Sequence, residues 1–218
     1  MRLLPLLPGA FSSIWTLEVP QSERREAQQA TLERDGHRCR FCGHRATSGQ
    51  AIVRLIREGG PGERVTACPL CETALRFRQV CSDRELSVIW LPEMSQAALN
   101  SVIRAIHLTF HEMGEAVWLG SVPRHDSPSV RVAYRAYATL ANRTEAAERR
   151  IGTSSPTELA AALAGLPTDA PAWHHDLPGA LRLLHRGRRF RAGEDIYPEI
   201  VAAWSRDAAP GLYWEGSR

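Results

Sequence analysis

Cys39-Arg-Phe-Cys42 and, 25 residues on, Cys68-Pro-Leu-Cys71 are the stretches whose reading decides the fold of this chain. In each, two thiols sit three positions apart, the bite that puts both on neighbouring corners of a tetrahedron. Zinc takes four thiolates at about 2.3 Å and needs no further ligand. The gap between the pairs is long enough for a knuckle, a strand or two and a return. A closed four-thiolate shell leaves no position for water. One Zn²⁺ held by Cys39, Cys42, Cys68 and Cys71 is therefore expected to hold the fold and not to do chemistry. Such use of cysteine suits a reducing compartment.

Working outward, the sequence predicts an extended arm over residues 2–19, then a helix from Ser22 to about Asp35, with Ser22 as N-cap and Asp35-Gly36 as the stop. Residues 37–46 form the first knuckle, Gln50–Arg57 a strand and Gly59-Gly60-Pro61-Gly62 a turn. Arg64–Cys68 leads into the second knuckle, and Pro69 suits the first turn of a helix over about 69–80. Glu85–Leu91 reads as a strand. Ser95 caps a helix of about 17 residues with Leu99, Val102, Ile103, Ile106 and Phe110 at helical spacing. After a mixed loop the pattern predicts helices at about 129–150, 156–164, 178–187 and 196–206. Ser155-Pro-Thr-Glu158 is a capping box. The expected class is α+β: a four-cysteine zinc module over residues 1–112, then a mainly helical region over 113–218 packed with it as one unit.

Composition narrows the function classes. The chain has 218 residues and 44% hydrophobic content, with no apolar run of membrane-spanning length. The apolar start is short and broken by Pro5 and Pro8, so it reads as an arm and not a secretion signal. All 27 basic residues are arginine, a mark of coding bias, and a net charge of +3 does not argue for nucleic-acid binding.

The order helix, knuckle, strand, turn, Val65-Thr-Ala-Cys68 and helix resembles the ββα-metal arrangement of HNH endonucleases, many of which carry a structural four-cysteine zinc. That resemblance implies a histidine general base in the strand between the knuckles and further His or Asn ligands for a catalytic cation. Here Arg54-Leu55 stands where the Asp-His pair would be, and no histidine lies between His44 and Cys71. The scaffold is present without the catalytic set, so no catalytic residue is expected.

A second resemblance covers more of the chain. Cys39-Arg-Phe-Cys-Gly-His-Arg-Ala46, Val65-Thr-Ala-Cys68 and Ile89-Trp-Leu-Pro-Glu-Met-Ser-Gln-Ala-Ala-Leu-Asn100 resemble the IcmJ/DotN family of Dot/Icm type IV secretion and IncI-type conjugation systems. Gly152-Thr-Ser-Ser-Pro156, Arg182-Leu-Leu184 and Arg189-Phe-Arg191 resemble its helical half. The resemblance implies a non-catalytic subunit that binds the C-terminal tail of a DotL-like coupling ATPase beside adaptor proteins. It places the chain in the cytoplasm, peripheral to the inner membrane through the complex. The alternatives are an HNH-type endonuclease or a zinc-dependent nucleic-acid-binding protein.

Other polar residues take simpler readings. Cys81 reads as a spare thiol, and His37 and His44 as flanking residues of the first pair. His107 and His111 have the i, i+4 spacing of a metal pair, but without the HExxH order they read as core edge and surface. His174-His175-Asp176 reads as a solvated loop. The run Arg186, Arg188, Arg189 and Arg191 is either a contact for an acidic partner, a phosphate backbone or an anionic membrane surface, or a solvated helix end. Trp90, Trp118 and Trp204 read as core or groove residues, and Trp173 and Trp214 as partner anchors.

Overall fold

The structure, a computed structural model, describes residues 3–4, 21–46, 51–55, 63–77, 82–116, 124, 126–165 and 179–207. The expected strand limits at 50 and 56–57, Cys81, His174, His175, Asp176, Trp118, Trp173, Trp214 and most of the N-terminal arm lie outside these residues. The elements are α1 (Gln21–Arg34), β1 (Ala51–Leu55), β2 (Glu63–Ala67), α2 (Pro69–Leu75), β3 (Leu86–Trp90) and α3 (Gln96–Glu112). They continue as α4 (Pro128–Ala141), α5 (Thr144–Ile151), α6 (Pro156–Ala164), β4 (Leu181–His185), β5 (Phe190–Arg191), β6 (Glu194–Asp195) and α7 (Tyr197–Asp207). The class is mixed helix and strand, with the four cysteines clustered.

α1 ends where Gly36 takes φ 60° and His37 φ 54°, a left-handed turn that costs glycine little. β1 and β2 pair antiparallel with Val53 opposite Val65. Asp35, buried at the end of α1, ties this hairpin to the knuckle. Its carboxylate accepts from the Thr66 backbone N–H at 2.8 Å and from Arg34 and Arg40 at 3.1 and 3.3 Å. Burial opposes the charge, but Arg34 and Thr66 outweigh it and hold the Asp35 pKa below the usual range.

α3 is the central element, packed against α2, α4, α7 and β4. Ser95 caps it by accepting from the Ala98 N–H at 3.2 Å, and it runs the expected 17 residues. Leu99, Ile103, Ile106 and Phe110 form its buried stripe. Each such side chain contributes about 1.5–3 kcal/mol on leaving water. At α6, Ser155 accepts from the Glu158 N–H at 3.1 Å, while the Ser155 N–H goes to Thr153 Oγ1, which itself donates to Glu158. The reciprocal half of the capping box thus runs through a threonine hydroxyl.

Several expectations fail. Ser22, expected as the N-cap, lies inside α1, which begins at Gln21, and α2 closes at Leu75, short of the expected residue 80. The helix at about 178–187 is the strand β4, antiparallel to β3 with Val88 opposite Leu183. Leu181, Leu183, Leu184 and His185 are all buried, and such a short two-sided run has no period that separates helix from strand. Pairing along β3 decides it. The single helix at about 129–150 is two, α4 and α5, broken at Asn142-Arg143. No glycine or proline marks that break. It is made by β3: the Trp90 N–H donates to the Arg143 carbonyl, and the Arg143 guanidinium donates to the Trp90 carbonyl and pairs with Glu93.

The edges of the β3–β4 pair are closed by side chains and loops. On β3 the Val88 N–H donates to the Ser154 carbonyl at 2.8 Å. On β4 the carbonyls of Leu181, Leu183 and His185 accept from Arg182, Gln96 and Tyr137.

The arginine run is not a helix end. It spans the turn between β4 and β5, and its members do different things. Arg189 reaches α2, donating to the Pro69 carbonyl at 3.1 Å, Thr73 Oγ1 at 3.0 Å and Glu72 at 2.7 Å. Arg186 donates to the Asp83 carbonyl, Arg188 lies 3.9 Å from Asp195, and Arg191 is exposed. Arg189→Ala is expected to cost about 1–2 kcal/mol, since it removes three hydrogen bonds to α2 while Glu72 keeps Arg76 and the Pro69 carbonyl keeps the Thr73 hydroxyl. Arg191→Ala should stay within about 0.5 kcal/mol. Urea unfolding of zinc-saturated protein measures both; equal midpoints for the two variants would refute the assignment.

Candidate metal centre

The knuckle that carries the first pair is shaped by backbone bonds around Cys39. Its N–H donates to the His44 carbonyl at 2.8 Å, its carbonyl accepts from Gly43 at 2.9 Å, and Arg38 bridges to Arg45. Gly43 takes φ 76°, which turns the chain back directly after Cys42. Leu4 of the N-terminal arm donates to the Arg40 carbonyl on the same loop. The second pair follows β2: Cys68 precedes α2 in an extended conformation, Pro69 takes the first helical position, and Cys71 lies within the first turn.

These two loops converge. The sulfurs of Cys39, Cys42, Cys68 and Cys71 all lie within 4.8 Å of one another, with Cys42 and Cys68 3.6 Å apart. Tetrahedral zinc with bonds of about 2.3 Å would separate its sulfurs by about 3.8 Å. Cys39, Cys68 and Cys71 are fully buried and Cys42 is half-buried. Among the described residues this is the one group of three or more candidate ligands that could hold an ion. The spacing and the closed sulfur set are compatible with zinc.

Three residues that the sequence reading did not single out as site residues serve the cluster, all from α3. Asn100 Nδ2 donates to Cys71 Sγ at 3.4 Å, and Arg104 Nη1 donates to Cys42 Sγ at 3.6 Å. Burial lowers the Arg104 pKa, but the neighbouring Cys42 and Cys68 sulfurs reverse the direction and raise it. Gln96, one turn before Asn100, donates to its Oδ1 at 2.9 Å. A signal was available. Gln96, Asn100 and His107 fall on the same 3.6-residue stripe as Ile103 and Phe110, where a polar residue must find a partner.

The histidines separate. His44 is half-buried with its ring edge-on to Trp204 at 5.6 Å; burial first, and then Arg104, push its pKa down to about 4. His37 is half-buried in the left-handed turn. His107 and His111 do not form a pair. His107 is fully buried with Nδ1 2.7 Å from the Tyr197 hydroxyl, whereas His111 is half-buried in the last turn of α3. His185, unremarked in the sequence, is buried with Nε2 3.1 Å from the Leu70 carbonyl. It fixes α2, and with it Cys71, from the far end of the chain. Trp204 is buried edge-on to Tyr197 at 6.0 Å, and Trp90 is half-buried beneath the Arg150 guanidinium at 4.7 Å.

No protein-family model matches the chain, and no curated protein matches it. Among the described residues no helix is long and apolar enough to cross a membrane.

Proposed function

We propose that this chain is a non-catalytic, zinc-stabilised interaction subunit, and that its partner is the C-terminal tail of a coupling ATPase in a type IV secretion or conjugation complex. The observation that carries the first part is the closure of the sulfur cluster. Four thiolates fill a tetrahedral shell, and the two N–H donors beside them point at sulfur, not at a place for a substrate. The zinc joins the knuckle after α1 to α2, and α2 is held in turn by His185 and Arg189. One ion thus fastens the first part of the chain to the last.

The second part rests on the resemblance to the IcmJ/DotN family, carried by the cysteine pairs and by Leu91-Pro-Glu-Met-Ser-Gln-Ala-Ala-Leu-Asn100. The fold gives that run a physical meaning, since its Ser95, Gln96 and Asn100 are the cap and the hydrogen-bonding residues of α3. The HNH-type nuclease is the second reading, favoured by the antiparallel β1–β2 hairpin followed by α2. Against it stand Arg54 and Leu55 where a base would be needed to activate water.

Co-expression with the coupling-ATPase tail, followed by size-exclusion chromatography, tests the proposal. Co-elution at micromolar concentration is expected, and supercoiled plasmid should stay intact with Mg²⁺ or Mn²⁺. Separate elution of two folded, metallated partners refutes the partner. Nicking that is lost in Cys68→Ser favours the nuclease.

A further inference from the structure

We infer that α3 couples metal occupancy of the cysteine cluster to closure of the β4 edge, with Gln96 and Asn100 as the link and Arg104 as a separate anchor on the metal side. The inference rests on the zinc reading above. Its basis is a relay of amides. The Gln96 side chain acts as a surrogate strand for β4: its Oε1 accepts from the Leu183 N–H at 2.8 Å and its Nε2 donates to the Leu183 carbonyl at 2.9 Å. The second N–H of the same nitrogen goes to Asn100 Oδ1 at 2.9 Å, and Asn100 Nδ2 continues to Cys71 Sγ at 3.4 Å. Leu183, Asn100 and Cys71 are each 0% exposed and Gln96 is 1% exposed, so water cannot replace a broken member.

These bonds favour one orientation of each amide in the relay. Turning the Asn100 amide would point its oxygen at a sulfur and its N–H groups at the Gln96 donor. Turning Gln96 would oppose like groups at both Leu183 positions. A metal-held thiolate is a charged acceptor, and bonds to charged acceptors are about twice as strong as neutral ones. The ion thus favours the one Asn100 orientation that also suits Gln96 and Leu183. By linkage, whatever affinity Asn100 adds to metal binding is returned as stability of the Gln96–Leu183 closure. Arg104 lies off this path. It touches the half-buried Cys42 and, on its own helix, Ser101 Oγ at 3.4 Å.

The test uses the full-length, zinc-loaded protein, with two readouts: transfer of zinc to a chromogenic chelator, and amide hydrogen exchange at Leu183. Asn100→Ala should weaken zinc by about 10–100-fold and, at equal zinc content, speed exchange at Leu183. Gln96→Glu, which touches no ligand, should raise the zinc transfer rate by about 5-fold or more and also deprotect Leu183. Gln96→Met keeps the size without the charge and serves the same test if Gln96→Glu does not fold. Arg104→Gln should weaken zinc and, at equal zinc content, leave exchange at Leu183 unchanged. Zinc transfer at the wild-type rate in both Gln96 variants overturns the coupling, as does unchanged Leu183 exchange in Asn100→Ala. A wild-type protein that holds no zinc overturns the zinc reading itself.

Discussion

Cys68→Ser is expected to abolish the native fold. Cys68 is fully buried where β2 gives way to α2, and a serine there leaves three thiolates around a cation, with the gap closed to water. Structural zinc contributes apparent binding free energies of about 10–16 kcal/mol in small zinc domains, and that energy is folding energy. A domain of ordinary stability has only about 5–15 kcal/mol in all. The variant should therefore contain no stoichiometric metal and show no cooperative melting transition, and a strong chelator should do the same to the wild type. Elemental analysis and thermal unfolding decide it. A Cys68→Ser protein that melts within a few degrees of wild type would show that the ion is dispensable.

The second large effect is acid sensitivity from His107 and His185. Burial pushes both pKa values down to about 3; His185 adds to the shift of His107, and Arg189 adds to that of His185 against a small opposing pull from the Leu70 carbonyl. The Tyr197 and Tyr137 hydroxyls and the Leu70 carbonyl are the polar groups around them. The unfolded chain titrates each imidazole near 6.5, so the unfolded state binds more protons below that pH. The stability is complete above about pH 6.5 and falls as the pH drops towards 3. Each histidine costs about 1.4 kcal/mol per pH unit in that window, about 2 kcal/mol at pH 5. Unfolding free energy, measured between pH 6 and 4.5, gives the slope. His107→Gln should remove about half of the histidine contribution. Loss of zinc in acid is common to both proteins, so the difference isolates the histidine. Parallel slopes would show that His107 is not held neutral.

The clustering of the four cysteines was legible in the sequence because its chemistry is written locally. Two thiols three apart fix a bite, and Pro69 and Gly43 mark the turns on either side. α3 and α6 were legible for the same reason, through Ser95 and Ser155 before apolar runs. What could not be read is what long-range packing decides. β4 is a strand because Leu86–Trp90 lies alongside it, and nothing within Leu181–His185 distinguishes it from a buried helical turn. The break at Asn142 is imposed by the Trp90 backbone. Arg189 looks like its neighbours in a basic run, yet it alone crosses to α2. Gln96 and Asn100 were visible as part of a family-like run, but their work depends on Leu183, 87 positions beyond Gln96. A polar residue on an apolar stripe tells that a partner exists without telling where.

The closed edges of the β3–β4 pair limit how this protein can meet others. An open strand edge is a template on which any extended chain, including another copy, can add itself by main-chain bonds, and that is a common start of aggregation. Here the Gln96 amide, the Arg182 guanidinium and the Tyr137 hydroxyl occupy the carbonyls that such a chain would need, and the Ser154 carbonyl blocks the opposite side. Strand addition at this sheet is thereby suppressed. A tail that binds this surface must be recognised through its side chains, and its affinity should follow its sequence rather than its capacity to extend.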